Sequence, residues 1–255
     1  MRIGFVGTGA ITEAMVTGIL SGTPLARDVL VSPRNAEVAD RLARMFPAVR
    51  IAADNQDVAD ACDILVLAIR PQVAEEVVKS LRFAPGQTVV SVIAATDRDR
   101  LQEWIGQEVD LTQAIPLPFV ANREGVTAIY PPNFEVASLF ASLGTTVQCA
   151  TREEYDLLAV ASAMMATYFG IMDRTTNWLA AKGLPDNSAR DYLAALFASL
   201  SQTVLRSNGT SLKELSGEFA TKGGLNEQVL VDFERNGGVT ALTDALEAVL
   251  RRIKE

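Results

Sequence analysis

The chain opens Met1-Arg2-Ile3-Gly4-Phe5-Val6-Gly7-Thr8-Gly9-Ala10-Ile11, an apolar run that ends in two glycines one residue apart and then enters helix-forming residues. A strand that closes on Gly-x-Gly and feeds a helix constrains the rest of the fold more than any other feature of this sequence. Such a unit opens a doubly wound sheet and binds a dinucleotide at its turn. Gly7 permits the tight turn, and Gly9 lets the backbone approach a pyrophosphate. The amides of Ala10 and Ile11 then face the phosphate charge from the start of the helix. The third position of the fingerprint departs from the pattern, because Thr12 stands where Gly or Ala is usual. Gly-x-Gly alone is compatible with an ordinary strand–helix turn. Its place inside a clear strand–turn–helix pattern favours nucleotide binding.

The remainder of the first half agrees with that opening. Short β-rich runs are expected near Arg2–Val6, Val29–Ser32, Arg50–Ala52, Ile64–Ile69, Thr88–Ile93 and Leu111–Ile115. They alternate with helical patterns near Ile11–Ser21, Ala36–Phe46, Gln56–Ala61, Val73–Ser80 and Arg98–Ile105. Alternation of this kind predicts a parallel sheet with helices on both faces. Two further runs, Gly125–Tyr130 and Thr146–Cys149, bracket a helix at Phe134–Leu143 and finish the sheet. From Thr151 the texture becomes wholly helical. Glu153–Lys182 reads as one long helix stopped by Gly183-Leu184-Pro185, followed by Asp186–Ser207 with Asp186 or Asn187 as cap. Shorter helices are expected at Leu212–Phe219, Asn226–Arg235 and Val239–Ile253. The expected fold is therefore α/β: an N-terminal Rossmann-type domain, residues 1–150, then an all-α dimerisation and substrate domain, residues 151–255. The centre of the long helix, Ala159–Ile171, has few polar residues on any face, so a second copy of the chain is expected to cover it.

Composition narrows the function. A net charge of −8 on 255 residues, with no basic stripe, argues against a nucleic-acid partner. No apolar run is expected to approach the ~20 residues that span a bilayer. The glycines and Glu13 interrupt any signal-peptide core, so a cytoplasmic protein is expected. The chain contains no histidine. That removes the usual catalytic base, every His-based triad and the commonest metal ligand, and no metal site is expected. Cys62 and Cys149 lie far apart outside any Cys-x-x-Cys pattern and read as small buried hydrophobes.

An NAD-type fold usually ends its second strand on an acid that bonds the ribose 2′-hydroxyl. Here the strand ends Val31-Ser32-Pro33-Arg34-Asn35. Ser32, Arg34 and Asn35 offer hydroxyl, guanidinium and amide donors that suit a 2′-phosphate, which makes NADPH the expected cofactor and NADH the alternative. The other reading is a polar loop with a helix cap at Asn35. The fourth strand runs out through Ile69, Arg70 and Pro71, a second expected cofactor contact, although Arg70 also reads as a solvated loop charge.

These pieces resemble the pyrroline-5-carboxylate reductase family over nearly the whole chain. The likeness rests on Gly4-Phe5-Val6-Gly7-Thr8-Gly9, Ala68-Ile69-Arg70-Pro71-Gln72, Ser91-Val92-Ile93-Ala94-Ala95, Ala114-Ile115-Pro116 with Glu124-Gly125-Val126-Thr127, and Lys222-Gly223-Gly224 followed by Phe233-Glu234 and Gly237-Gly238. The resemblance implies NAD(P)H-dependent reduction of the C=N bond of 1-pyrroline-5-carboxylate to proline, with Ala94 beside the cofactor. It also implies a homodimer or higher homo-oligomer through the helical domain. Its carboxylate-binding loop corresponds to Lys222, Gly223, Gly224 and Leu225. Asn226 takes the place of a threonine that bonds the imine nitrogen, and Met164 stands in the altered motif of the long helix. The departures at Leu225, Asn226, Met164 and Met165 also suit a larger or less polar imine. A nucleotide-binding protein without catalysis is the reading from another class.

Overall fold

The structure, a computed structural model, describes residues Met1–Lys254. They divide into two compact units, Met1–Ala159 and Val160 onward.

The first unit is built on an eight-stranded sheet in the order β3-β2-β1-β4-β5-β6-β7-β8. The strands are β1 (Arg2–Val6), β2 (Asp28–Val31), β3 (Val49–Ile51), β4 (Ile64–Leu67), β5 (Thr88–Ser91), β6 (Asp110–Pro116), β7 (Gly125–Tyr130) and β8 (Gly144–Gln148). The first six run parallel, β7 is antiparallel to β6, and β8 is parallel to β7. The helices between them are α1 (Ala10–Leu20), α2 (Ala36–Met45), α3 (Asn55–Ala61), α4 (Pro71–Ser80), α5 (Arg98–Ile105) and α6 (Phe134–Ala141).

Side chains of a strand alternate between faces, so a sheet covered on both sides needs apolar residues at successive positions. β1 and β4 satisfy this. Ile3, Phe5, Ile64 and Val66 join Met15, Val16 and Ile19 of α1, Leu42 of α2 and Phe140 of α6. Val6, Leu65 and Leu67 point the other way and join Val58 of α3, Ala74 and Val78 of α4, and Leu101 of α5.

A 3-10 turn at Pro118–Asn122 joins β6 to β7. The turn lies against α1 at Gly18, where a Cβ would stand 2.1 Å from the Val120 carbonyl oxygen. Arg123 follows the turn in a left-handed conformation (φ 59°). It donates through Nε to the Gly18 carbonyl at 2.8 Å and through Nη2 to the Thr23 carbonyl at 2.7 Å. A guanidinium at this place satisfies carbonyls at and just beyond the C-terminal end of α1, as cations near a helix C-terminus do.

The helical part comprises α7 (Arg152–Ser162), α8 (Met165–Ala181), α9 (Asp186–Arg206), α10 (Leu212–Phe219), α11 (Leu225–Arg235) and α12 (Gly238–Lys254). The single long helix expected from Glu153 is bent at Ala163–Met164, without a glycine or proline to announce it. Pro185, rather than Asp186 or Asn187, occupies the cap position of α9, and Asp186 is its first helical residue. The stretch Arg152–Ala181 is long and apolar enough to cross a membrane by length and composition. That corrects the expectation that no run approaches such a length: the two helices continue into one another, and charges cluster in the first turns and at Asp173-Arg174. Only 11% of its most apolar window is buried within one chain. No residue of α8, α11 or α12 is buried, and Trp178, Phe169 and Val229 are well exposed.

Candidate functional site

The carboxyl ends of β1 and β4 meet where the strand order reverses, the place at which open α/β sheets take ligands. Gly7 adopts φ 101°, a conformation only glycine holds without strain. A Cβ there would lie 2.2 Å from the carbonyl oxygen of Ala68, so the glycine also lets the two strand ends come together. Gly9 caps α1 with an extended conformation, φ −105°, and a Cβ built on it meets no atom within 4 Å. The first turn of α1 therefore looks out over open space. Ala10 is exposed and Ile11 half-buried at its edge.

Arg34 is exposed beside this edge and has no ion-pair partner among the described residues. Asn35 sits at the cap of α2 but makes no capping hydrogen bond, so the helix does not use its side chain. Ser32 lies elsewhere than the sequence suggested. It is fully buried, and its hydroxyl is turned inward to Gly7 and Thr8, not out towards a 2′-phosphate. Ile69 is half-buried and Arg70 exposed, and Pro71 opens α4 at a position where its missing amide is no loss. Ala94 is exposed after β5, and Ala95 next to it holds a left-handed φ of 48°. Strain of this kind in a residue other than glycine tends to gather at functional sites.

In the second unit, Thr221-Lys222-Gly223-Gly224 forms a tight turn closed by the Gly224 amide on the Thr221 carbonyl at 2.8 Å, with Gly223 at φ 76°. The Gly223 amide donates to Glu227 Oε2 at 2.5 Å. Both glycine amides expected to cradle a ligand carboxylate are thus satisfied inside the loop, one of them by a carboxylate of the chain itself. The signal for this was present in the sequence: an acid three residues after a helix cap commonly reaches back to the preceding backbone. Asn226 donates through its side-chain amide to the Phe219 carbonyl at 2.9 Å, which ties the start of α11 to the end of α10. Beside Asn226 opens a cavity of about 280 Å³, lined mainly by Leu200, Val204, Leu215, Phe219 and Leu230. Lys222 and Leu225 are exposed, and Met164 is half-buried at the bend between α7 and α8. No group of acidic or cysteine side chains suited to a metal ion occurs among the described residues.

A glycine turn at the switch point, open space before a helix start, and a helical unit after the sheet are the marks of a dinucleotide-binding fold with a second, all-helical part. Residues 2–95 match the family described as NADP oxidoreductase coenzyme F420-dependent, and residues 155–255 match the domain described as pyrroline-5-carboxylate reductase dimerisation. The chain is similar to pyrroline-5-carboxylate reductases along its whole length. It is 25% identical to the pyrroline-5-carboxylate reductase of Pseudomonas aeruginosa, over the whole of this chain and 96% of that protein. Among solved structures, its fold is similar to that of 1-pyrroline-5-carboxylate reductase from Streptococcus pyogenes, with a TM-score of 0.86 and 22% identity over all of this chain and 98% of the other. It is also similar to the NADP-bound pyrroline carboxylate reductase of Plasmodium falciparum, with a TM-score of 0.84 and 18% identity over 100% and 97% of the two chains.

Proposed function

We propose that this protein is an NADPH-dependent reductase of a cyclic imine carboxylate, in the simplest case 1-pyrroline-5-carboxylate, giving L-proline. The observation that carries the reading is the end-to-end match to a pyrroline-5-carboxylate reductase, from the glycine turn through the helical unit. Residues 1–150 hold the dinucleotide and residues 151–255 form the substrate and dimerisation domain. The cofactor supplies a hydride when bound. Gly7, Gly9, Ala10 and Ile11 present backbone to its pyrophosphate, and the open space before Gly9 leaves room for it. Arg34 and Asn35, both free of structural duties, bond the 2′-phosphate and select NADPH over NADH. Ile69, Arg70, Pro71 and Ala94 border the cofactor along the same edge.

The substrate needs positioning more than it needs an acid or base. Lys222 offers a positive charge to the substrate carboxylate, and the Asn226 amide orients the imine nitrogen. To present both of its amide hydrogens, Asn226 must release the Phe219 carbonyl. Leu225 and Met164 supply apolar contacts. The helices that lack buried residues pair with a second copy of the chain, giving a homodimer or higher homo-oligomer, and the protein works in the cytoplasm.

A larger or less polar imine is the second reading, favoured by the apolar cavity beside Asn226 and the internally satisfied amides of Gly223 and Gly224. The test is NADPH oxidation with and without racemic 1-pyrroline-5-carboxylate near neutral pH. Brisk, substrate-dependent oxidation is expected. Cofactor binding without oxidation of this imine rejects the proline reading, and failure with a panel of larger imines as well leaves a non-catalytic binding protein.

A further inference from the structure

The hydroxyls of Thr8, Thr12 and Ser32 are all buried in the first unit beside the glycine turn. The Gly7 amide donates to Ser32 Oγ at 2.9 Å, and Thr12 Oγ1 donates to the Gly7 carbonyl at 2.6 Å. Thr8 Oγ1 donates to the Ser32 carbonyl at 2.6 Å and lies 3.1 Å from Ser32 Oγ. A hydroxyl has one proton to give. Thr8 spends its proton on the Ser32 carbonyl, so the Ser32 hydroxyl donates to Thr8 and accepts from Gly7. The directions are thereby fixed along a chain from the Gly7 amide through Ser32 and Thr8 to the Ser32 carbonyl, in which each bond polarises the next, while Thr12 holds the Gly7 carbonyl separately.

The amide and the carbonyl of Gly7 belong to the two peptide planes on either side of its Cα. Holding both fixes its φ and ψ, and with them the turn that faces the pyrophosphate. We propose that Thr12 and Ser32 are positioning residues for the cofactor, which set the glycine turn in its binding conformation before the dinucleotide arrives. Thr12 thus does by hydrogen bonding what a small residue at this position does by close packing. The inference rests on the dinucleotide-binding part of the proposed function. It differs from that reading in what it requires of the two cofactors. A clamp on the pyrophosphate turn serves NADPH and NADH alike, whereas a hydroxyl on the 2′-phosphate serves NADPH only.

The test is fluorescence titration of native protein, Thr12→Ala, Thr12→Ser and Ser32→Ala with NADPH and with NADH. Alanine is an accepted residue at the third fingerprint position, so Thr12→Ala retains a foldable turn. Freeing one residue's backbone predicts that Thr12→Ala and Ser32→Ala weaken both cofactors by the same factor, roughly tenfold. Thr12→Ser keeps the hydroxyl and is expected to bind within about twofold of native. A loss confined to NADPH in Ser32→Ala overturns the proposal, as does native affinity in Thr12→Ala or an equal loss in Thr12→Ser. If the native protein binds neither cofactor, the dinucleotide reading itself fails, a result distinct from all of these.

Discussion

Gly7 and Gly9 stand two residues apart in one turn, yet the structure assigns them opposite consequences on replacement by alanine. At Gly7 a Cβ meets the Ala68 carbonyl oxygen at 2.2 Å and its carbon at 2.7 Å. Neither strand end can retreat, because the Ala68 amide bonds the Val6 carbonyl at 2.8 Å and Val6 is paired with Leu67. The left-handed conformation costs a residue with a side chain about 1–2 kcal/mol. Forcing atoms into a packed interior adds about 1–3 kcal/mol. Gly7→Ala is therefore expected to destabilise the protein by roughly 2–5 kcal/mol, which lowers the melting temperature by about 5–15 °C. Gly9→Ala has no clash and an ordinary φ, so its stability is expected to stay within about 0.5 kcal/mol of native. Its new methyl group instead points into the open space before α1, where the proposed function puts the pyrophosphate, and NADPH affinity is expected to fall by ~tenfold or more. Thermal melting followed by circular dichroism, with cofactor titration of each folded variant, measures both effects. The reasoning fails if Gly7→Ala melts with the native protein, or if Gly9→Ala loses stability while binding NADPH normally.

Arg34→Ala is expected to raise the KM for NADPH far more than that for NADH, and equal changes in steady-state assays with both cofactors would remove Arg34 from the 2′-phosphate. Ala95→Gly relieves left-handed strain of about 1–2 kcal/mol but adds unfolded-chain freedom of about 0.5–1 kcal/mol. The net is a rise of roughly 0.5–1 kcal/mol in urea unfolding, and an unchanged midpoint contradicts it. The hydrogen bonds and charge of Arg41 hold the Glu13 carboxyl below its usual range. A carboxylate with a lowered folded-state pKa stabilises above its unfolded pKa and loses that contribution as pH falls through the folded one. Glu13→Gln is thus expected to be less stable than native at pH 7 and to match it in acid below the carboxylate range; a stability gap that persists there argues against the pair. Burial pushes the Cys62 thiol up to about 11. Disulfide reagents, which need thiolate, should label it slowly at pH 8 until the protein unfolds, and rapid labelling of the native protein would show it open to solvent.

The first unit was the most legible part of the sequence because its central strands, β1, β2, β4 and β5, are buried on both faces. Runs such as Ile64–Leu67 then stand out against their amphipathic neighbours. The reversal at β7 carries no signature in hydrophobic period, but loop length betrays it. The segment between Pro116 and Gly125 is shorter than the dozen or more residues a parallel crossover needs. The bend at Ala163–Met164 has no such sign, since helix formers occupy both sides of it. At the site, the turn at Gly7 follows from residue type alone. The orientation of Ser32 does not, because a serine at the end of a strand serves a ligand or a neighbouring turn equally well. Asn226 illustrates the same limit: a short polar side chain near a helix start finds a local backbone partner that spacing alone does not rank.

The register of the outer strands has a mechanical consequence for α7. β5 ends at Ser91 opposite Gln113, and β8 ends at Gln148 opposite Ile129, which is paired with Ala114. β8 therefore stops within about one residue of the level at which the parallel strands give out, and only Cys149-Ala150-Thr151 intervene before α7. The first turn of that helix is held on several sides. Arg152 pairs with Asp97, and Tyr155 packs on Tyr130 with ring centroids 6.2 Å apart. Thr151 Oγ1 accepts the Glu154 amide at 3.2 Å, while Glu154 accepts the Ala150 amide at 2.7 Å. The root of α7 is thus anchored to the sheet like a mast stepped in a deck, and repacking around Asp97 or Tyr130 would be felt first at Arg152 and Tyr155.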